Sequence, residues 1–161
     1  MAKEIFNIKD AVSAQEGMVF IILDGQRYKW MNVINIEVNA AHDNGEIKTL
    51  GDRQTKKRNV GVTIEGKMTA HWIDSTVQNM VLKLIAEGKE TFFDVQGVHD
   101  DPSSNSGRNV YLFPDCVLDG DIPLFKADAD GEFLDEEIGF VVNGKPIQLE
   151  GFANETAIIA G

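Results

Sequence analysis

Between Val60 and Trp72 the chain reads V-G-V-T-I-E-G-K-M-T-A-H-W. Val60, Val62, Ile64, Met68, Ala70 and Trp72 fall on one parity, with Gly66 interrupting. Gly61, Thr63, Glu65, Lys67, Thr69 and His71 fall on the other. Successive side chains point to opposite faces of a strand, so this order makes one apolar face and one wet face. A helix would scatter the same residues around its circumference. At a strand's rise the stretch spans roughly 43 Å, whereas a typical strand has about 5–6 residues. Such a strand serves more than one sheet or reaches beyond its own domain. Val62, Ile64, Met68 and Trp72 are expected on the core, and Thr63, Glu65, Lys67 and Thr69 in water.

Downstream, Ser75-Thr-Val-Gln78 has the form of a capping box, and Asp74 adds negative charge at the helix start. Val77, Met80, Val81, Leu84 and Ile85 then recur at helical spacing on one apolar face. Gly88 suits the left-handed position after the last turn. This helix, about 18 Å long, is expected to cover one face of the sheet, with Met80 as core filler. Upstream, residues 40–58 break the strand pattern. Asp43-Asn44-Gly45 is turn chemistry, and Ile47 and Leu50 are the only large apolar residues in the stretch. A long excursion of this kind in a compact domain is functional or disordered. It ends in Arg53, Lys56, Lys57 and Arg58, the chain's only basic cluster. No aromatic residue accompanies these cations for base stacking, so a solvated loop or a docking surface for an acidic partner is the better reading.

Elsewhere the pattern is of strands. Met18–Leu23 is an apolar run, and Asp24-Gly25 after it signals a hairpin. A second strand is expected from Gln26 through Trp30 to Asn39, where Ile34, Ile36 and Val38 alternate with Asn35, Glu37 and Asn39. Phe92–Val98 is a further strand, followed by a loop from His99 to Gly107. Val110–Phe113 resumes, with Cys116–Leu118 extending it past Pro114, since proline suits edges or bulges. Ile122–Phe125 reads as a short extended run and Glu132–Val142 as the last substantial strand. Asn143-Gly144 marks a hairpin into Ile147 and Leu149. Residues 1–15 read as an N-terminal arm, with Ala11–Gln15 open to a helical turn, and 153–161 as a loose or partner-dependent tail.

The chain has 161 residues, enough for a single domain that buries roughly 70% of its unfolded surface. The one cysteine, Cys116, cannot form an internal bridge, which argues against an oxidising compartment, and its strand setting favours a buried, inert thiol. No leader is read at the N-terminus, and nothing approaches the ~20 apolar residues of a membrane span. A soluble protein made in the cytoplasm is expected, without membrane insertion. The net charge of −11 is uneven: residues 1–80 carry ten Lys/Arg and ten Asp/Glu, whereas 81–161 carry five and sixteen. A nucleic-acid grip needs a basic patch to displace counterions, so this chain is not expected to bind nucleic acid specifically.

Catalytic chemistry has no anchor. His42, His71 and His99 lack the short spacing of a metal site, and His99-Asp100-Asp101 lies in a Ser/Asn-rich loop. Lys126-Ala-Asp128-Ala-Asp130-Gly131, with Glu137 at the twelfth position, resembles a calcium loop but starts on a cation where a carboxylate is required. G-x-S-x-G, the P-loop and G-x-G-x-x-G are all missing. Neither a catalytic residue, a metal nor a cofactor is expected, and the chain does not read as an enzyme.

The order of segments resembles the tail-tube proteins of contractile phage tails and phage-like bacteriocins, the PBSX-like group. The resemblance runs through E-G-M-V-F (Glu16–Phe20), Asp24-Gly25, G-D-R-Q-T from Gly51 and the G-x-x-T of the long strand. It continues in F-F-D-V-Q-G-V-H-D-D-P-S-S (Phe92–Ser104) and F-L-D-E-E-I-G-F (Phe133–Phe140). It covers roughly residues 15–150.

That resemblance implies an antiparallel β-sandwich or barrel with one flanking helix and a long assembly loop. It further implies hexameric rings stacked into a hollow tube within a virion or phage-like particle. Implied partners are other copies of the chain, a tail sheath protein, and baseplate and tail-terminator proteins. On this reading Gly45, Glu46, Leu50, Arg53, Lys56, Lys57 and Arg58 form a self-assembly loop that meets the acidic half of a neighbour. Thr63, Glu65, Lys67 and Thr69 face the lumen, in preference to the outer wall, because a conduit needs small, polar residues that do not hold its cargo. Lys67 there needs a carboxylate to offset it. The alternative is a monomeric β-sandwich that binds carbohydrate or protein. It should display a cluster of exposed aromatics, and Tyr28, Trp30 and Trp72 are too few for one.

Overall fold

The computed structural model describes residues 8–30 and 32–152. The outermost parts of the expected arm and the whole expected tail lie outside them. Among the described residues the protein is mainly β, with one α-helix, and the strand pairs are antiparallel. The chain divides into two compact units, residues 1–31, 93–115 and 144–161 in the first and 32–92 and 116–143 in the second.

In the first unit, β1 (Gly17–Leu23) turns through Asp24-Gly25 into β2 (Gln26–Lys29). Both turn residues have positive φ, 51° and 78°, the backbone that matches the twist of a two-residue hairpin. β1 pairs along its other edge with β5 (Phe93–Asp100), which neighbours β6 (Arg108–Asp119). Val19, Ile21, Phe93, Val95, Val98 and Val110 form the core. The loop after β5 is stapled by buried Asp101, whose carboxylate accepts from the Ser13 and Ser103 amides, both at 2.9 Å.

β6 is continuous through Pro114, as expected, and Asp115 takes a positive φ of 53° with its amide on Asp94 Oδ1 at 3.0 Å. Asn143-Gly144 does not make a hairpin between neighbours. The strand after it, β8 (Ile147–Glu150), pairs with β6. The Gly144 amide donates to Pro114 O at 3.1 Å, an approach that leaves a Cβ on Gly144 only 2.6 Å from the proline ring.

The second unit is built on β3 (Val33–Ile47), β4 (Lys56–His71), β7 (Asp135–Val142) and the Cys116–Asp119 end of β6. The single strand expected from Gln26 to Asn39 is therefore two. The physical reason is Asn32: its amide side chain donates to His71 O at 2.5 Å and its carbonyl accepts from His71 N at 2.8 Å, so it ends the ladder where β3 begins. Gly66, Met68 and Ala70 are buried on β4, and Glu136, Ile138, Phe140 and Val142 on β7. Opposite Phe140, Gly66 has to be glycine: a Cβ there would stand 2.3 Å from the ring. Ile122–Phe125 is not a strand, and Pro123 spends its carbonyl on the helix instead.

The helix, α1 (Thr76–Glu87), ends as expected at Gly88, with φ 67° and its amide on Leu84 O at 2.9 Å. It begins differently. Ser75 makes no side-chain cap, and the Thr76 amide donates to Asp74 Oδ1 at 3.3 Å. Gln78 turns away from the helix start to bind Glu136 of β7 and Pro123. Only Val77, Gln78 and Met80 of α1 are buried; Leu84 and Ile85 are exposed, so the apolar face is covered only over its first half.

Candidate assembly surface

Residues 40–58, expected as a loop, are largely a two-stranded ladder. β3 and β4 pair from Ala40↔Ile64 out to Ile47↔Lys56, with a register shift between Asp43 and Asn44. Asp43-Asn44-Gly45, which reads as a turn, is absorbed by that shift. The ribbon is solvated on both faces, so no alternation marks it as a strand. β7 pairs with β4 only from Ile64 to His71. The first eight residues of β4 therefore project beyond it, as the strand's length implied.

On this projecting half, residues of the expected core parity are bare: Val60 is 74% and Val62 51% exposed, so Val62 does not pack on the core. Ile64 is half-buried and Met68 buried, while Trp72 is half-buried. Near the tip, Ile47 and Leu50 are exposed, Leu50 fully. Gly45 and Glu46 lie on β3, Lys56, Lys57 and Arg58 on β4, and Leu50 and Arg53 in the connection. Lys56 pairs with Asp52 at 3.8 Å and Lys57 with Glu46 at 3.9 Å.

The wet parity of β4 continues across both neighbours. Thr63, Glu65, Lys67 and Thr69 stand opposite Ala41, Asn39, Glu37 and Asn35 of β3. Thr69 also stands opposite Glu137 of β7. Glu65 and Lys67 are exposed, as is Thr63, and Thr69 is half-buried. Lys67 does meet an offsetting carboxylate, Glu137 Oε1 at 3.5 Å, and Asn39 donates to Glu37 at 2.9 Å. With Glu37 and Glu65 unopposed by a second cation, the face is net anionic. Asn35, Glu37 and Asn39 belong to it equally; their alternation with Ile34, Ile36 and Val38 was the signal, and the β3–β4 register brings them in.

Behind the sheet, Gln78 Nε2 donates to Glu136 Oε2 at 2.7 Å and to Pro123 O at 3.0 Å. Glu136 Oε1 and Gln78 Oε1 are buried without a hydrogen-bond partner. Burial pushes the Glu136 carboxyl above the usual carboxylate range; the Gln78 hydrogen bond pulls it down and the Asp74 charge adds to the rise. A shallow groove of about 300 Å³ lies beside α1, lined by Met80, Val81, Leu84, Leu118, Asp121 and Ile122.

Among the described residues no three of His, Cys, Asp and Glu are gathered to hold a metal. His71 Nδ1 contacts Asp135 at 3.0 Å, while His99 stacks on Phe152 with ring centres 5.9 Å apart. Asp128 accepts from the Asp130 amide at 3.0 Å in an acidic turn, and Glu137 faces Lys67. Cys116 is buried.

The phage tail tube protein family (DUF2001) matches residues 4–147. The chain belongs to that family. The phage-like element PBSX protein XkdM of Bacillus subtilis (strain 168) is 26% identical over 132 residues, 82% of this chain and 86% of that protein. Among solved structures, a chain of the anti-feeding prophage baseplate superposes with a TM-score of 0.64 at 8% identity, covering 91% of this chain and 97% of that one. A chain of the sheath–tube complex of the extracellular contractile injection system PVC gives 0.63 at 10% identity, over 88% and 93%. At such identities these two likenesses are of fold. A tail tube protein is a structural component of a virion or phage-like particle, and the bare hairpin and polar strand face belong to a subunit of that kind.

Proposed function

We propose that this tail tube protein forms hexameric rings that stack into the hollow inner tube of a contractile tail or phage-like particle. A sheath surrounds the tube, and a baseplate and a terminating cap close its ends. Chains of similar fold come from a six-fold-symmetrised baseplate, a sheath–tube complex and a tube-terminating cap, which supports this set of partners. The role is structural and non-catalytic, and the whole chain acts as one tube subunit.

The observation that carries the reading is the projecting half of the β3–β4 hairpin. Its two strands are paired with each other through a single register shift, yet Val60, Val62, Ile47 and Leu50 are all more than half exposed. Each large apolar side chain left in water forgoes about 1.5–3 kcal/mol available on burial. A neighbouring copy is the surface that recovers it, so Gly45 to Arg58 is the self-assembly element. The anionic face around Thr63, Glu65, Lys67 and Thr69 lines the bore, where it repels phosphate at short range.

Electron microscopy of the concentrated pure protein tests this. Hollow rods or six-membered rings of uniform width are the expected result. Replacing residues 44–59 with an Asn-Gly turn, a cut symmetric about the ladder, should leave a folded chain that forms neither. Dispersed monomers from the intact chain at every concentration would instead favour the monomeric binding module.

A further inference from the structure

We infer that the hairpin tip of one copy seats on the acidic, aromatic segment 125–135 of a second copy, making a head-to-tail contact. This rests on the tube reading and names the surface that receives the tip.

β4 holds the two surfaces apart. The tip lies beyond Lys56, its first residue, and segment 125–135 leads into β7 at Asp135, which stands opposite His71, its last. The segment is tied to that end: the Trp72 amide donates to Leu134 O at 3.0 Å, and Lys126 Nζ to Asp135 O at 3.1 Å. Sixteen residues at a strand's rise place the ends roughly 50 Å apart. They cannot meet within one chain, so their contact is between copies.

The chemistry is complementary. The segment carries Asp128, Asp130, Glu132 and Asp135 against a single cation, Lys126. Phe125 and Phe133 are each 85% exposed. Of these, Phe125, Lys126, Asp128, Glu132, Phe133 and Asp135 border an open groove of about 620 Å³. At the tip, exposed Ile47 and Leu50 stand among Lys48, Arg53, Lys56, Lys57 and Arg58, against Glu46 and Asp52. Lys56 and Lys57 use those two carboxylates. Lys48, Arg53 and Arg58 have no ion pair among the described residues, which leaves three cations for the acidic groove while Leu50 enters between the phenyl rings. Because the two patches differ and lie at opposite ends, the contact is heterologous: it cannot pair two copies two-fold and continues from copy to copy, into a ring or a filament.

Charge exchange tests the assignment. Reversing the tip (Lys48→Glu, Arg53→Glu, Arg58→Glu) or the acidic segment at the groove (Asp128→Lys, Asp130→Lys, Glu132→Lys) should raise the concentration needed for rods about tenfold or more, with wild-type circular dichroism. A chain carrying both reversals should recover rods. Groove reversal without effect, or a combined variant no better than either part, overturns the assignment. Independently, Leu50→Cys with Phe133→Cys in one chain should give an oxidation ladder of multimers that neither single variant gives. Rods without that ladder leave the tube reading intact and remove this contact. A ladder without rods keeps the contact and removes the tube.

Discussion

Gly66→Ala is the sharpest probe of the sheet's interior. The new Cβ would stand 2.3, 2.5 and 2.8 Å from three atoms of the Phe140 ring, against about 3.5–4.0 Å for relaxed carbon contacts. The ring must retreat by more than 1 Å (about 3.5 less 2.3), and Phe140 is 1% exposed, with no open side to turn into. Overpacking of this kind costs about 1–3 kcal/mol, and the lower entropy of the unfolded alanine chain returns about 0.4–1 kcal/mol. The net loss is then about 1–2 kcal/mol, or roughly 3–8 °C in Tm for a domain of this size.

The control is Gly97→Ala on β5, where a Cβ meets nothing within 4 Å; it should be neutral or slightly stabilising. Urea unfolding followed by circular dichroism, at a concentration where the protein is monomeric, measures both. Phe140→Leu should couple to Gly66→Ala, so that the double variant loses about 1 kcal/mol less than the two singles summed. A Gly66→Ala protein as stable as the Gly97→Ala control would show that the ring does not pack on Gly66, and the β4–β7 register would need revision.

Glu136 predicts a pH dependence. Its folded-state pKa is raised by burial, so the folded state holds the proton more tightly than the unfolded one. The resulting stability is full below the unfolded value near 4.5 and is lost as pH rises through the folded value. Glu136→Gln should flatten that slope in urea titrations run from pH 4.5 upward, and an unchanged slope would assign it to other groups. At Gly88, φ 67° makes Gly88→Ala cost about 1–2 kcal/mol and Gly88→Asn less, read as Tm. On the wet face, Glu65→Cys in assembled tubes should react with a bulky maleimide only at open ends or after disassembly; rapid full labelling of intact tubes would place this face on the outside.

How far the residues announced the fold depends on how one-sided their surroundings are. From Ile64 to His71 one face of β4 packs on a core and the other is wet, and there the alternation of Gly66, Met68 and Ala70 with Glu65, Lys67 and His71 is legible. Asp24-Gly25 and Gly88 are legible because their positive φ excludes most other residues. From Lys56 to Thr63 the same strand has no core on either side: Val60 and Val62 keep the apolar parity without a core to pack on, Lys56 to Asn59 show no alternation at all, and pairing with β3 is fixed by backbone hydrogen bonds that leave no mark on composition. Gln78 fits a capping box by spacing, but the carboxyl that claims it, Glu136, is 58 positions away. No local rule finds such a partner. The wet face was half legible for the same reason: Thr63 to Thr69 follow from one strand's parity, whereas Asn35, Glu37, Asn39 and Glu137 join through registers set by the fold.

A subunit that polymerises through strands has to avoid pairing in the wrong place. β3 is the strand exposed to this risk: it is fifteen residues long and pairs with β4 along one side only among the described residues. A long flat edge would template pairing in any register. The β3–β4 register shifts at Val33/Asn35 and Asp43/Asn44: the first puts the extra residue, Ile34, on β3 and breaks its repeat of free amides and carbonyls, and the second puts it, Val60, on β4 and increases the local twist of the pair. Its side chains add to the discrimination. Glu37, Asp43 and Glu46 alternate with Asn35, Asn39 and Asn44, so a second β3 laid antiparallel against it would bring like charges together, which is destabilising across a sheet. An approaching edge with cations is tolerated. β2 supplies one, carrying Arg27 and Lys29 on a short strand whose four residues are all exposed, with the Arg27 guanidinium held over the Phe20 ring at 3.7 Å. The two edges thus differ in charge as well as in length, so like-charge repulsion disfavours a second β3 against β3 more than it disfavours an edge that carries cations.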